Sequence, residues 1–306
     1  MRRKKRARRN KGGRQKELWF WLATLFLIVF VVACCAVVRH ADDASSPAPR
    51  SQKSGFETLG DAPRLLSPYC LHGCPESTQG ADGKVLHREG FVLSNNPRTK
   101  FADWAAYRIT RSTIGKSRRR KWGADPDLLP EHTLEPEDYR GAHRALAVDR
   151  GHQVPLASFS GTRAPHHLNY LSNITPQRSS LNRKLWNLLE QAERKLIFEG
   201  LAQEVFVVTG PLFENEMSNL PGADESHIVP SGYFKVIAVV RGRDINTAAF
   251  IVRQDTPGDD AYCDHRVTID EVERRASLDL FAALPEHVET PLERSLGTLH
   301  SNLGCQ

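Results

Sequence analysis

The run Asp149-Arg150-Gly151-His152, followed by Asn182, Glu190 and Arg194, holds the parts that metal-assisted phosphodiester cleavage requires. An imidazole is the side chain best suited to take a proton from water near neutral pH. A neutral carboxamide oxygen suits a hard cation that keeps most of its waters, and a nearby carboxylate can hold those waters. Guanidinium groups grip phosphate oxygens and offset their developing charge. Singly, each residue has an ordinary reading. His152 reads as a structural histidine, Asp149 as a turn residue or cap, and Glu190 with Arg194 as an i,i+4 pair on a solvated helix face. Their fixed order within one short stretch favours the chemical reading over the ordinary ones.

Two kinds of element must position these groups. Leu181, Leu185, Leu188, Ala192 and Leu196 recur at helical spacing and predict one helix from Ser180 to about Glu199. Asn182, Trp186, Glu190 and Arg194 then form a second stripe on its flank. Gly151 loosens the backbone beside His152. Phe91–Ser94 and Trp104–Ile109 read as a hairpin-like pair around Asn95-Asn96-Pro97. Glu204–Thr209 reads as an apolar strand stopped by Gly210-Pro211, and Tyr233–Val240 pairs with Ala248–Val252 across Arg241-Gly242-Arg243-Asp244. Ile269–Glu273 opens a further helix. Sequential strands with short connections imply an α+β body, an antiparallel sheet with helices on its faces.

The ordered block Asp149–Gln153, Leu168–Gln177, Leu181-Asn182 and Trp186…Glu190 resembles the DNA/RNA non-specific endonucleases, the ββα-metal (His-Me finger) nucleases, and especially their secreted Serratia-type branch. Lys100–Tyr107, Val148–Gln153, Thr209–Leu212 and both cysteine pairs extend the likeness from about Cys70 to Cys305. The resemblance implies His152 as general base, Asn182 as the direct protein ligand of Mg²⁺ (Mn²⁺ as substitute), and Glu190 as holder of the ion's waters. It implies Arg194 and Arg120 as phosphate contacts, with Arg150 and Asn173 in support. Alignment on Trp122…Asp125-Pro126 selects Arg120, whereas alignment on Gly115-Lys116 selects Arg119. The implied reaction hydrolyses DNA and RNA, single- or double-stranded, to 5′-phosphorylated oligonucleotides; the related secreted branch forms a homodimer, and no feature of this sequence decides between that assembly and a monomer. No base-reading recognition helix, zinc finger or RRM signature is present, as suits a site that reads phosphate alone. An ordinary histidine pKa near 6.5 predicts activity that falls below about pH 6.

Charge and hydropathy describe the rest of the chain. The 306 residues sum to +6, but residues 1–17 hold ten Lys/Arg and one Glu, +9 in all, which leaves −3 after residue 17. Nucleic acid must therefore be held by local patches, such as Arg118-Arg119-Arg120-Lys121 and the group Arg178, Arg183, Lys184, Arg194 and Lys195. Residues 18–38 carry no charge and at about 1.5 Å per residue match a bilayer core of roughly 30 Å. The basic tail before them orients a transmembrane signal-anchor with its N-terminus in the cytoplasm, and the body in the periplasm or outside the cell. This arrangement resembles the family's membrane-bound DNA-entry nucleases. A lipoprotein site at Val31-Val32-Ala33-Cys34 and a cleaved signal peptide are the alternatives. Residues 39–60 read as a flexible linker, and 61–306 as the nuclease domain.

Cys70, Cys74, Cys263 and Cys305 allow three disulfide connectivities, of which nearest-neighbour pairing is one; a zinc site from Cys70, Cys74, His72 and His87 is the rival. The resemblance implies Cys70–Cys74 and Cys263–Cys305. A different functional class also fits the anchor: a membrane nucleic-acid-binding module for uptake, with cleavage incidental. A surface-displayed toxin domain is a third.

Overall fold

The computed structural model describes residues 65–80, 83–116 and 119–306. The expected basic tail (1–17), membrane span (18–38) and linker (39–60) lie outside the described residues, as does Arg118. Among the described residues, no helix is long and apolar enough to cross a membrane.

The body is α+β, as its strand and helix pattern predicts. Seven strands form one antiparallel sheet: β2 (Lys84–Arg88), β3 (Phe91–Asn95), β4 (Ala102–Thr110), β7 (Glu204–Leu212), β8 (Gly232–Arg241), β9 (Asp244–Arg253) and β10 (Arg266–Val267). Their spatial order is β10-β9-β8-β7-β4-β3-β2, and apart from this sheet β1 (Glu76–Ser77) pairs with β11 (Leu278–Asp279). The strands read as nearly unbroken apolar runs because both faces are covered. Leu93, Tyr107, Val207, Ile237 and Phe250 face one core, closed by helix Leu185–Phe198 through Leu189, Ala192 and Leu196. Val92, Ala106, Phe234, Val236 and Ala249 face the other, closed by Ile269 and Val272 of helix Ile269–Ala276 and by Leu278, Leu280 and Phe281. The Thr268 side chain caps that helix by accepting from the Glu271 N–H.

Strand β7 does not stop at Gly210-Pro211 as expected, but runs on to Leu212. Its pairing with β4 ends at Thr209, so beyond that point β8 is its only sheet partner, with Pro211 opposite Tyr233. A proline with no N–H is tolerated there because the ladder to β4 has stopped on that side. A Cβ at Gly210 would lie 2.2 Å from the Asp103 carbonyl oxygen, so the position requires glycine.

The single helix predicted from Ser180 to Glu199 is two helices, Ser179–Arg183 and Leu185–Phe198, broken at Lys184 (φ −119, ψ −94). The break re-phases the stripes. Leu189 is fully buried, while Leu188, placed in the apolar stripe by spacing, is 50 % exposed. Trp186, expected on the polar flank, is buried against Tyr233 at 5.7 Å between ring centroids. Disulfides join Cys70 to Cys74 and Cys263 to Cys305, which takes both thiols away from the rival zinc site.

Candidate functional site

A small antiparallel ribbon outside the main sheet carries the histidine: β5 (Val148–His152) pairs with β6 (Ile174–Arg178), His152 opposite Ile174. Gly151 serves close packing rather than flexibility, because a Cβ there would lie 2.7 Å from the Gln177 side chain across the ribbon. The ribbon leads directly into helix Ser179–Arg183, bearing Asn182, and then, past the break, into helix Leu185–Phe198, bearing Glu190 and Arg194. Between these elements lies a cleft of about 630 Å³ whose walls include Arg120, Arg150, His152, Asn182, Arg183 and Glu190.

Arg150 and His152, two residues apart on a strand, project to the same side. Trp122 meets both there, with its ring 5.3 Å from the imidazole and 5.6 Å from the guanidinium. Arg150 also lies 4.9 Å over Tyr139 and donates to the Pro136 carbonyl at 2.6 Å, so aromatic faces and a main-chain oxygen hold it. Burial lowers its pKa from the ordinary arginine value. The His152 Nε2–H donates to Asn169 Oδ1 at 3.3 Å, which leaves Nδ1 as the proton-accepting nitrogen. Burial, with Arg120 adding repulsion, draws the imidazole down to about 4, so it is neutral well below the pH expected from an ordinary histidine.

Asn173 anchors the chain just after the histidine. Its Oδ1 accepts from the Val154 N–H at 2.9 Å, and its Nδ2 donates to the carbonyls of Val154 (3.2 Å) and Leu168 (3.0 Å). Asn173 is thus a fully buried clamp between the two arms leading to His152 and Asn169.

Asn182 is oriented from its other end. Its Nδ2 donates to Asp149 Oδ2 at 3.2 Å, which leaves the amide oxygen as the acceptor available at the cleft. Asp149 in turn accepts a two-pronged pair of bonds from Arg183, both at 2.7 Å. Burial pushes the Asp149 carboxyl up, but the bonds from Arg183, Asn182 and Ser179 outweigh it and hold the group below the usual range.

Burial drives the Glu190 carboxyl up to about 7 against the pull of Lys235 and Arg194, with Glu193 repelling it further. Beneath it lies a buried ion pair, Lys235 Nζ to Glu193 Oε1 at 2.5 Å, bonded also to the Tyr107 hydroxyl and lying 4.7 Å from the Trp186 ring. The donor set fits a divalent cation: a carboxamide oxygen left to the cleft by the Asp149 bond to its amide nitrogen, and a carboxyl that burial, against Lys235 and Arg194, pushes up to about 7.

The structure brings His152, Asn182, Glu190, Arg120 and Arg150 to one cleft. Arg194 is not among its walls; its Nη1 donates to Ser158 Oγ at 3.2 Å, and it acts on Glu190 through charge. Asp149, Asn169, Trp122 and Arg183 join the site in roles that the sequence did not assign to them. Asn169 and Asp149 stand inside the motif runs themselves, but which of several polar residues turns inward depends on ribbon register. Trp122 stands in the sequence as an alignment marker and Arg183 as one cation of a basic patch, and neither pattern encodes the contact with His152 or the bonds to Asp149.

A sequence model of the DNA/RNA non-specific endonuclease family matches residues 73–287. A nuclease of Serratia marcescens is 46% identical over 238 residues, covering 78% of this chain and 89% of that protein. Human mitochondrial endonuclease G is 30% identical over 216 residues (64% of this chain, 68% of that protein), and a Nostoc nuclease is 25% identical over 288 residues (89% and 96%). Among solved structures, EndoG in its complex with EndoGI superposes with a TM-score of 0.59 at 23% identity, covering 67% of this chain and 89% of that one.

Proposed function

For this chain, which belongs to the DNA/RNA non-specific endonuclease family and is an endonuclease, we propose Mg²⁺-dependent hydrolysis of DNA and RNA to 5′-phosphorylated fragments in a ββα-metal site. The observation that carries this reading is the convergence of His152 and Asn182 on one cleft, each oriented by a dedicated partner, Asn169 and Asp149.

His152 Nδ1 takes a proton from the attacking water. Its neutral state is secured by burial, and its tautomer by Asn169. Arg120 and Arg150 on the cleft wall hold the non-bridging phosphate oxygens; Arg194 supports them through Glu190. Asn182 Oδ1 would hold Mg²⁺, or Mn²⁺ in its place, with Glu190 fixing its waters. When bound, the ion neutralises the scissile phosphate and supports the leaving 3′-oxygen. Since these groups meet phosphate rather than base edges, single and double strands of either sugar type are substrates.

The sequence further supports a body (61–306) tethered through residues 18–38 outside the cytoplasm, and likeness to the family supports a homodimer. The deciding experiment incubates plasmid DNA and RNA with the full chain in Mg²⁺, in EDTA, and with the Asn182→Ala and His152→Ala variants. Cleavage is expected only with Mg²⁺ and both side chains intact. Cleavage that persists in EDTA removes the metal mechanism, and a fully active His152→Ala removes the base. A phenotype that survives His152→Ala in cells would favour the uptake module instead.

A further inference from the structure

On the far face of the sheet from the cleft, helix Ile269–Ala276, strand β11 (Leu278–Asp279) and helix Glu286–Arg294 bring five carboxylates together. One oxygen each from Asp270, Glu273 and Glu293 lies within 4.8 Å of the others, and the same holds for Asp279, Glu289 and Glu293. Glu293 is common to both sets. It is 8 % exposed and shares a side-chain hydrogen bond with Glu273, while its Oε1 is buried without a hydrogen-bond partner among the described residues. A buried carboxylate oxygen without a donor is costly, and more so among like charges.

Among the described residues the cation paired with the group is peripheral, and Asp279 and Glu289 have further partners of their own. Arg294 Nε lies 3.8 Å from Asp270 Oδ2 on a side chain that is 74 % exposed, and the Leu280 N–H donates to Glu273 Oε1 at 2.7 Å. Burial pushes Glu273 up to about 7 and Glu293 up to about 8, with mutual repulsion among the acids adding to it.

We infer that Glu293, with Glu273, Asp270, Asp279 and Glu289, forms a site for Ca²⁺ that fastens the helix Glu286–Arg294 to the sheet. Several carboxylates from three elements suit Ca²⁺, which takes six to eight oxygens in irregular geometry, better than Mg²⁺, which demands a tight octahedron. The site shares no residue with the cleft and is backed by the opposite core.

The test uses the full chain carrying Asn182→Ala, so that the proposed ligand in the cleft is gone, with CaCl₂ as the probe. Raising Ca²⁺ from zero to about one hundred times its Kd is expected to lift Tm by about 5–10 °C. Equilibrium dialysis should find about one ion per chain. Adding Glu293→Gln, or separately Glu273→Gln, should abolish both effects, while each variant melts no lower than its parent without Ca²⁺ because a like charge has been removed. With Asn182 restored, both variants should cleave plasmid in Mg²⁺ at the parent rate, which shows that they fold. No Ca²⁺ effect on the parent would mean that Glu273 and Glu293 share a proton instead. An undiminished effect in either Gln variant would mean that the ion binds elsewhere. Each result overturns the site.

Discussion

Asp149 touches no substrate in the proposed reaction, yet its replacement should weaken metal use more than stability. The carboxylate accepts the Asn182 amide at 3.2 Å and so determines which end of that amide faces the cleft. In Asp149→Ala the carboxamide can turn over and present N–H where an oxygen ligand is needed. Loss of such an outer partner characteristically costs about 10–100-fold in metal affinity or activity. The competing cause of damage is the lost ion pair with Arg183, whose side chain is 62% exposed, and pairs of that kind contribute little to stability. Tm should therefore move by no more than a few degrees. Arg183→Ala separates the two causes, since it breaks the ion pair but keeps the acceptor for Asn182. The assay is plasmid cleavage as a function of Mg²⁺ for both variants. The expected result is an activation midpoint raised about 10–100-fold in Asp149→Ala and changed less than threefold in Arg183→Ala. Equal midpoints in Asp149→Ala and the parent would refute the orienting role, and equal shifts in both variants would assign the effect to local charge.

With His152 at about 4, kcat/KM at pH 5.5 should retain nearly all of its base in the active form, where an ordinary histidine would leave about a tenth; a tenfold loss at pH 5.5 would contradict the burial of the ring. The same shift has a defined sign for folding: between about 4 and 6.5 the unfolded chain holds a proton that native His152 does not, so this group costs stability as pH falls through that window, and His152→Gln should flatten that dependence in thermal melts. Glu190, at about 7 before any ion binds, should release up to about one proton when Mg²⁺ is added near pH 6.5, detected with a dye in weak buffer and absent from Glu190→Gln. Reduction of Cys263–Cys305, with a separation of 42 residues, should cost about 4 kcal/mol, against about 2 for the separation of 4 in Cys70–Cys74; paired Ser variants compared by urea melts test the ranking. Lys235→Met should destabilise the body by about 3–5 kcal/mol by stranding Glu193, and Lys235→Met with Glu193→Leu should recover much of that loss.

Much of the sheet was legible because apolar runs and turn residues report strands directly. Arg241-Gly242-Arg243-Asp244 is the turn between β8 and β9, with Gly242 at φ +64 and Arg241 paired to Asp244. What period alone missed follows from tertiary context. Pro211 stands in a strand because its ladder with β4 has already stopped at Thr209, which no local pattern encodes. Lys184 breaks a helix although it is a good helix former, so every stripe drawn through that point is mis-phased. Leu188 therefore turned outward and Trp186 inward, and Trp186 covers the buried Lys235 instead of flanking the cleft.

The break at Lys184 also divides the elements that carry Asn182 and Glu190. On one unbroken helix, Asn182 and Glu190 would stand about 12 Å apart along the axis, held by the same element. Dividing the helix at Lys184 lets the first segment follow the β5–β6 ribbon, where Asp149 captures Asn182, while the second follows the sheet, where Leu189, Ala192 and Leu196 anchor it. Glu190 thus rides on the helix packed against the core, Asn182 is tied to the ribbon, and both line the cleft. A substitution that restored continuous helix across residue 184 would be stabilising by local propensity, yet should impair Mg²⁺-dependent cleavage, because it would pull Asn182 from Asp149 into the register of the sheet-bound helix.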